Sequence, residues 1–228
     1  MLEWESARFD SAVSDVFGFH ALQLGLPELD TLQANRMPHR WLGCDVGPNH
    51  WPAAVDTRPR QWLLTESMAL PFAEASLDLV TLPHCLELSP DPHGSLREVA
   101  RVLVPEGRVV ITGFNPTSLW GVRNDRAVLP SVRDWIGYWR LRDWLQLLSF
   151  DVEISTFGCC RPYAKRQPWL DRWAWMDRAG ARWWPIFGAV YCIVAVKRVR
   201  GMRLMEPVWK LNKARQAQTV TTASQRMK

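Results

Sequence analysis

The sequence lacks any apolar run approaching the roughly 18 residues that a membrane-spanning helix requires. Its first ten residues, MLEWESARFD, are acidic and lack the basic and apolar regions of a secretory signal. Cysteine is scarce, and the five cysteines form an odd set without metal-ligand spacing, which argues against a disulfide framework and against a metal site. These absences favour a cytoplasmic protein that holds no metal.

Composition indicates a globular protein with an unusual C-terminal end. Hydrophobic residues make up 47% of the 228 residues and charged residues 22%, which is far from the profile of a disordered chain. Nine of the 28 basic residues but one of the 23 acidic residues lie from Val196 onward. We expect one domain over 1–200 and a basic tail over 201–228. Such a tail could make weak contact with an anionic membrane or nucleic acid, or it could be a solvated terminus.

The clearest local pattern is a strand, a helix and a second strand. The runs LDLVTLP (77–83) and RVVITGF (108–114) are almost entirely apolar, as is typical of strands covered on both faces of a parallel sheet. Between them, apolar residues at helical spacing predict a helix over 91–103. Asp91 can cap this helix at its beginning. The three elements form a βαβ unit, which requires parallel pairing and a right-handed crossover.

Other segments extend this unit to a sheet of six or seven strands with helices on both faces. Strands are predicted over 20–25, 40–45, 61–64, 151–157 and 189–198. Helices are predicted over 1–17, 31–37 and 131–150, the last of them broken or kinked near Gly137. The sequence therefore predicts an α/β fold.

A fifty-residue string within this sheet carries a family resemblance. It reads ESMALPFAEASLDLVTLPHCLELSPDPHGSLREVARVLVPEGRVVITGFNP and spans residues 66–116. It resembles the methyltransferase type 11 family of the class I S-adenosylmethionine-dependent methyltransferases. The resemblance implies a Rossmann-like, mostly parallel sheet with an antiparallel last strand, and S-adenosylmethionine as the cofactor.

The resemblance also implies roles for several residues at the carboxyl ends of the strands, where open α/β sheets bind ligands. Glu66 and Ser67 would lie beside the adenine of the cofactor. Pro83 and His84 would line its methionine end. Phe114 and Asn115 would face the substrate. His84 could also act as a general base, although a lone histidine after an apolar strand is as often structural.

The glycine-rich loop of the family, acid-x-G-x-G-x-G, aligns with QLGLPEL on Gly25. Gln23 stands in the place of the acid, and Pro27 and Leu29 replace the second and third glycines. We expect Gln23 and Gly25 to contact the cofactor. Asp45 has the spacing expected of an acid that binds the ribose hydroxyls.

Tryptophan is unusually frequent, with 14 residues. Five of them lie between 169 and 184, inside a segment (158–187) that is longer than this connection usually is in the parent fold. These rings could pack on the sheet, form an interfacial helix, or form a cap over an apolar pocket. In the last case Trp120 and Trp173 would contact the substrate.

These patterns predict an S-adenosylmethionine-dependent methyltransferase that acts on a small or medium, apolar or aromatic acceptor. No catalytic residue is identified. The replaced glycines support an alternative, in which a methyltransferase-like protein has lost the cofactor and serves as a binding or scaffold module. In a third interpretation the tail and the tryptophan-rich segment attach the protein to a membrane or nucleic acid.

Overall fold

The computed structural model describes residues 1–44, 61–118, 135–159 and 188–198, all of which belong to one compact unit, Met1–Arg198. Asp45, Trp120, Trp173, most of the tryptophan-rich segment and the basic tail lie outside the described residues, so the predictions made for them stay predictions. No helix in the described ranges is both long and apolar enough to cross a membrane.

Seven strands form a single mixed sheet. The strands are β1 (His20–Leu24), β2 (His39–Cys44), β3 (Gln61–Leu64), β4 (Leu77–Pro83), β5 (Leu103–Phe114), β6 (Phe150–Gly158) and β7 (Val190–Lys197). Their order across the sheet is β3-β2-β1-β4-β5-β7-β6. The first five strands in this order, from β3 across to β5, pair in parallel with their neighbours. Strand β7 runs antiparallel to both of its neighbours, β5 and β6. The predicted mostly parallel sheet with an antiparallel last strand is confirmed.

Helices cover both faces of this sheet, as predicted. The helices are α1 (Leu2–Val13), α2 (Cys85–Leu88), α3 (Pro92–Val102) and α4 (Tyr138–Leu147). One face packs on α1 through Phe9 and Val13. The opposite face packs on α3 and α4 through fully buried leucines and valines, among them Leu96 and Leu141. Burial of each such side chain stabilises the fold by roughly 1.5–3 kcal/mol, so the helices on the two faces hold the sheet in position.

The βαβ unit forms as its sequence predicts. The Asp91 carboxylate accepts a hydrogen bond from the backbone N–H of Gly94, which caps α3 at its beginning. Helix α3 ends at Val102, and the chain enters β5 at once. Strands β4 and β5 then pair in parallel, with Thr81 opposite Val110. The carboxyl ends of β1, β4 and β5 therefore lie side by side at one edge of the sheet.

The predicted helix over 31–37 is wrong, because residues 31–34 form turns and 35–37 have no regular structure. Side-chain hydrogen bonds join this segment to the chain at the end of α1 and to β2. The Asn35 amide donates to the carbonyl oxygens of Val13 and Val16, and the Arg40 guanidinium donates to those of Leu32 and Asn35. The Arg40 bonds occupy two carbonyl oxygens of the segment and the Asn35 bonds attach it to the chain around Val13, so tertiary contacts override a weak helical pattern.

The described part of the predicted helix over 131–150 is shorter than expected. Helix α4 begins after Gly137, which has extended backbone angles, and it ends at Leu147. Phe150 already pairs with Lys197 in the sheet. Ser149 adopts a positive φ of 64° between helix and strand, which reverses the chain there.

Candidate active site

The order of the strands reverses between β1 and β4, which is where open α/β sheets bind their ligands. Gly25 follows β1 at this switch point and has a φ of +88°. A β-carbon at this position would lie 2.9 Å from the carbonyl oxygen of Pro83 and 3.1 Å from the Cβ atom of Cys85. Glycine is therefore required here both by the backbone conformation and by the close approach of two chain segments. The one glycine of the loop that the chain retains is the one that this turn needs.

Leu29, in the place of the third glycine, does not enter the ligand side of the loop. Its side chain is buried in the apolar cluster under α1, together with Phe9 and Val13. Pro27 lies in a turn, and its ring is half-buried. The two replacements thus change how the loop is anchored to the core without filling the turn at Gly25.

Gln23 is buried, and its side chain lies inside the loop. Its Nε2 atom donates to the carbonyl oxygens of Leu26 and Leu29 at 3.1 and 2.6 Å. Its Oε1 atom accepts from the N–H and the hydroxyl of Thr31 at 3.1 and 2.9 Å. These four bonds use the full hydrogen-bonding capacity of an amide, so the side chain organises the loop and has no donor left for a ligand.

His84 follows β4 and caps the short helix α2 with a left-handed backbone, φ 51°. Its ring is almost fully buried between two carboxylates. The Nε2 atom lies 2.6 Å from Oε1 of Glu5, and the Nδ1 atom lies 2.9 Å from Oε2 of Glu87. Ionised carboxylates only accept hydrogen bonds, so two such partners are satisfied when both ring nitrogens carry protons.

Electrostatics agree with this geometry. Burial lowers the pKa of His84, but the hydrogen bonds and charges of Glu5 and Glu87 outweigh it and raise this pKa to about 9. Burial raises the pKa of Glu87, against the opposing effect of His84. A histidine that keeps both protons at neutral pH cannot accept another, so the geometry argues against His84 as the general base.

A backbone hydrogen bond connects the cluster of Glu5, His84 and Glu87 to the end of β5, on the predicted substrate side of the sheet. The Oε1 atom of Glu87 accepts a hydrogen bond from the backbone N–H of Phe114 at the end of β5. The Phe114 ring lies 4.3 Å from the His84 ring and stacks on Trp135 at 5.2 Å, measured between ring centroids. Phe114 is thus fixed between a cationic ring and a half-buried indole.

The remaining sequence-predicted residues take different positions. Asn115 shapes the turn after β5, because its amide donates to the carbonyl of Gly188 and its Oδ1 accepts from Thr117. Ser67 belongs to a ring of three hydroxyls with Ser89 and Ser95, which joins the β3 loop to the first turn of α3.

Pro83 ends β4 and is buried next to the turn at Gly25. Glu66 follows β3 and is exposed at the ligand edge. The structure therefore brings Gly25, Pro83, His84 and Phe114 together at adjacent strand ends.

Two residues near this edge were missed by sequence reasoning. Glu5 lies in α1, where an acid in the first turn of an amphipathic helix is typical and signals no special role. Trp135 lies in a segment that was predicted to be helical. The only sequence signal for Glu5 is its place on the apolar face of α1, four residues before the buried Phe9.

The thiols of two buried cysteines, Cys44 and Cys192, are poor nucleophiles. Burial, with a smaller effect of Glu5, raises the pKa of the Cys192 thiol to about 12. Burial also raises the pKa of the Cys44 thiol. Among the described residues, no group of His, Cys, Asp and Glu side chains could hold a metal ion.

The sheet order and the turn at its switch point define a Rossmann-like protein of the methyltransferase kind. Residues 25–111 match the family model described as "Methyltransferase domain". A solved S-adenosylmethionine-dependent methyltransferase from Archaeoglobus fulgidus superposes with a TM-score of 0.60 at 18% identity, over 86% of this chain and 95% of that one.

Two curated relatives extend the comparison. "Uncharacterized protein YafS" of Escherichia coli is 32% identical over 219 residues, covering 92% of this chain and 81% of the relative. A demethylmenaquinone methyltransferase of Lactococcus lactis is 46% identical over 58 residues, covering 25% of this chain and 23% of that protein. The chain belongs to the same family as the E. coli protein, with which it shares nearly its whole length, and it contains a methyltransferase domain with the class I fold. Helix α1 and Glu5 lie outside the residues matched by the methyltransferase model.

The family's cofactor is S-adenosylmethionine, and the turn at Gly25 fits it. Gly25 is half-buried at the switch point, and the absence of a side chain lets the loop after β1 lie directly against Pro83 and Cys85 at the end of β4. Leu29 does not obstruct this turn, because it packs into the core. The residues present are thus compatible with the cofactor despite the two replaced glycines.

Proposed function

We propose that this protein transfers the methyl group of S-adenosylmethionine to a small or medium, apolar or aromatic acceptor. The observation that carries the proposal is the positive-φ turn at Gly25 against Pro83, at the switch point of a methyltransferase sheet. The L. lactis relative, whose name gives a quinone as its acceptor, supports an aromatic substrate over the aligned segment.

Apolar side chains at the edge of the sheet support this acceptor class. Three large apolar side chains are exposed at or just after the carboxyl ends of β3 and β4, namely Leu64, Met68 and Leu88. The stacked pair of Phe114 and Trp135 lies at the end of β5. Exposed apolar side chains and a ring stack at the same end of the parallel strands favour a flat, apolar ligand, since burial of these groups from water stabilises binding.

In this mechanism the residues of the chain mainly bind and position. Gly25 offers backbone to the cofactor, and the exposed carboxylate of Glu66 can accept a hydrogen bond from it. S-adenosylmethionine supplies an electrophilic methyl group when bound. His84 keeps both protons and therefore does not deprotonate the acceptor, so we expect an attacking atom with a lone pair already available.

The test is transfer of radiolabelled methyl from S-adenosylmethionine to matched panels of acceptors. One panel holds quinols, phenols and indoles, and the other holds amino acids and nucleosides. We expect product from the first panel alone. Transfer confined to polar acceptors would contradict the proposed acceptor class.

A pair of variants tests whether the acceptor binds at this edge of the sheet. Leu88→Gln places an amide on the proposed acceptor surface, and we expect it to raise the KM for the acceptor by about tenfold. Leu147→Gln makes the same change at an exposed leucine near the opposite edge, just before β6, and should leave KM unchanged. Equal effects of the two variants would mean that Leu88 does not contact the acceptor.

A further inference from the structure

The loop after β1 keeps its shape although two of the family's three glycines are replaced. Gly25 alone has a positive φ within residues 23–31. Leu26 and Leu29 are joined by a backbone hydrogen bond of 3.3 Å, which closes a turn around Pro27. The backbone carbonyl oxygens of this loop must find hydrogen-bond donors, and a side chain can supply them.

We infer that the Gln23 side chain is the positioning residue that gives this loop its cofactor-binding shape, in place of the missing glycines. This inference rests on the proposed function. Gln23 lies at the centre of the loop in space, bonded to residues three, six and eight positions later in the chain. It thereby fixes both the beginning and the end of the loop.

The chemistry of the side chain is specific to an amide. Two N–H groups face the carbonyl oxygens of Leu26 and Leu29, and one oxygen faces two donors on Thr31. Rotating the amide by half a turn would place N–H against N–H and oxygen against oxygen. The arrangement of partners therefore fixes the orientation of the amide.

Strand β4 extends this arrangement. The Thr31 hydroxyl donates to Gln23, and it lies 2.6 Å from the Thr81 hydroxyl. Thr81 is also the partner of Gln23 in the pairing of β1 with β4. The loop is thus attached by hydrogen bonds to both strands that form the switch point.

A glutamate at this position, which restores an acid as in the family's motif, should therefore damage this chain. A carboxylate offers no donors, so its oxygen would face the carbonyl oxygens of Leu26 and Leu29 in a buried site. Restoring the acid is expected to open the loop.

The test compares Gln23→Glu with Gln33→Glu, which makes the same change at an exposed position in the same segment. Exchange of the Thr31 amide hydrogen reports the loop, and calorimetric titration with S-adenosylmethionine reports the cofactor. For Gln23→Glu we expect exchange to quicken and the dissociation constant to rise, each by at least about tenfold, the equivalent of one lost hydrogen bond. Gln33→Glu should change both by less than about twofold, as is usual at the surface.

A second pair of variants tests the same hydrogen bonds even if Gln23→Glu misfolds globally. Thr31→Val removes the hydroxyl that bonds Gln23, whereas Thr31→Ser keeps it. We expect the valine variant to weaken cofactor binding and the serine variant to retain it, with amide protection in β4 and β5 unchanged in both. Equal binding by the two would overturn the inference.

The remaining outcomes separate the inference from the proposed function. Unchanged loop exchange in Gln23→Glu, or faster exchange with unchanged affinity, would overturn the inference alone. A wild-type chain that binds the cofactor, is weakened by Gln23→Glu and methylates no acceptor would support the inference and contradict the proposed function. A folded wild-type chain that binds no cofactor would overturn both.

Discussion

The Nε2 atom of His84 lies 2.6 Å from the Oε1 atom of Glu5, although 79 positions separate the two residues in the sequence. The contact joins the N-terminal helix α1 to the end of β4. Glu87 lies on the other side of the His84 ring, and its second carboxylate oxygen accepts a hydrogen bond from the backbone N–H of Phe114. Helix α1 therefore contributes to the position of groups at the ligand edge, even though it lies outside the matched methyltransferase domain.

Replacing Glu5 by Gln should lower the pKa of His84 from about 9, because the charge of one carboxylate is removed while an oxygen acceptor is kept. The measurement is an NMR titration of the His84 ring. Glu3→Gln makes the same change at an exposed residue of the same helix and should leave this pKa where it is. A His84 pKa that is the same in both variants would show that Glu5 does not hold the proton.

The raised pKa of His84 makes stability depend on pH. Since the pKa is higher in the folded than in the unfolded chain, the contribution is fully present below about pH 6.5 and is lost as pH rises through about 9. The raised pKa of Glu87 acts in the same direction.

We expect the free energy of unfolding in urea to fall by about 1–3 kcal/mol between pH 6.5 and pH 9 through this cluster. The His84→Asn variant serves as the reference, because groups outside the cluster of Glu5, His84 and Glu87 titrate alike in both chains and cancel in the difference. A difference between wild type and variant that stays constant across this range would contradict the assignment.

Restoring the third glycine of the family should harm the protein. Leu29→Gly removes a side chain that is buried under α1, so it leaves a cavity costing about 2–5 kcal/mol, as for other large-to-small changes in cores. Chemical denaturation measures this loss. Affinity for S-adenosylmethionine should not improve in the folded variant. A variant that is as stable as the wild type and binds the cofactor more tightly would show that Leu29 does obstruct the site.

Local patterns sufficed to predict the central βαβ unit. The two apolar runs, the Asp91 cap and the helical spacing between them act within a few residues, and the structure confirms each element. The segment after Gly25 was mispredicted because its structure depends on distant partners. Asn35 bonds carbonyls in and after α1, and no local pattern reveals that contact.

In the candidate site, too, some features follow from local patterns and others depend on contacts between distant segments. Gly25 could be placed from the aligned motif, because a turn at a strand end needs glycine for local reasons. The role of Gln23 could not be predicted, since its four hydrogen bonds exist only once the loop has folded around it. The pairing of Glu5 with His84 depends on how α1 packs on the sheet, and sequence spacing carries no information about that packing.

The proposed function requires that this chain bind S-adenosylmethionine at the turn formed by Gly25. The most direct test is calorimetric titration of the full chain with S-adenosylmethionine and S-adenosylhomocysteine. Gly25→Ala is compared with Gly137→Ala, because Gly137 has a φ of −66° and its β-carbon position is in ordinary contact distance.

We predict a dissociation constant of about micromolar order for the wild type and for Gly137→Ala, and one at least about tenfold higher for Gly25→Ala, whose strain amounts to roughly 1–2 kcal/mol. A folded wild-type chain that binds neither ligand, or equal affinity in all three proteins, would contradict the account.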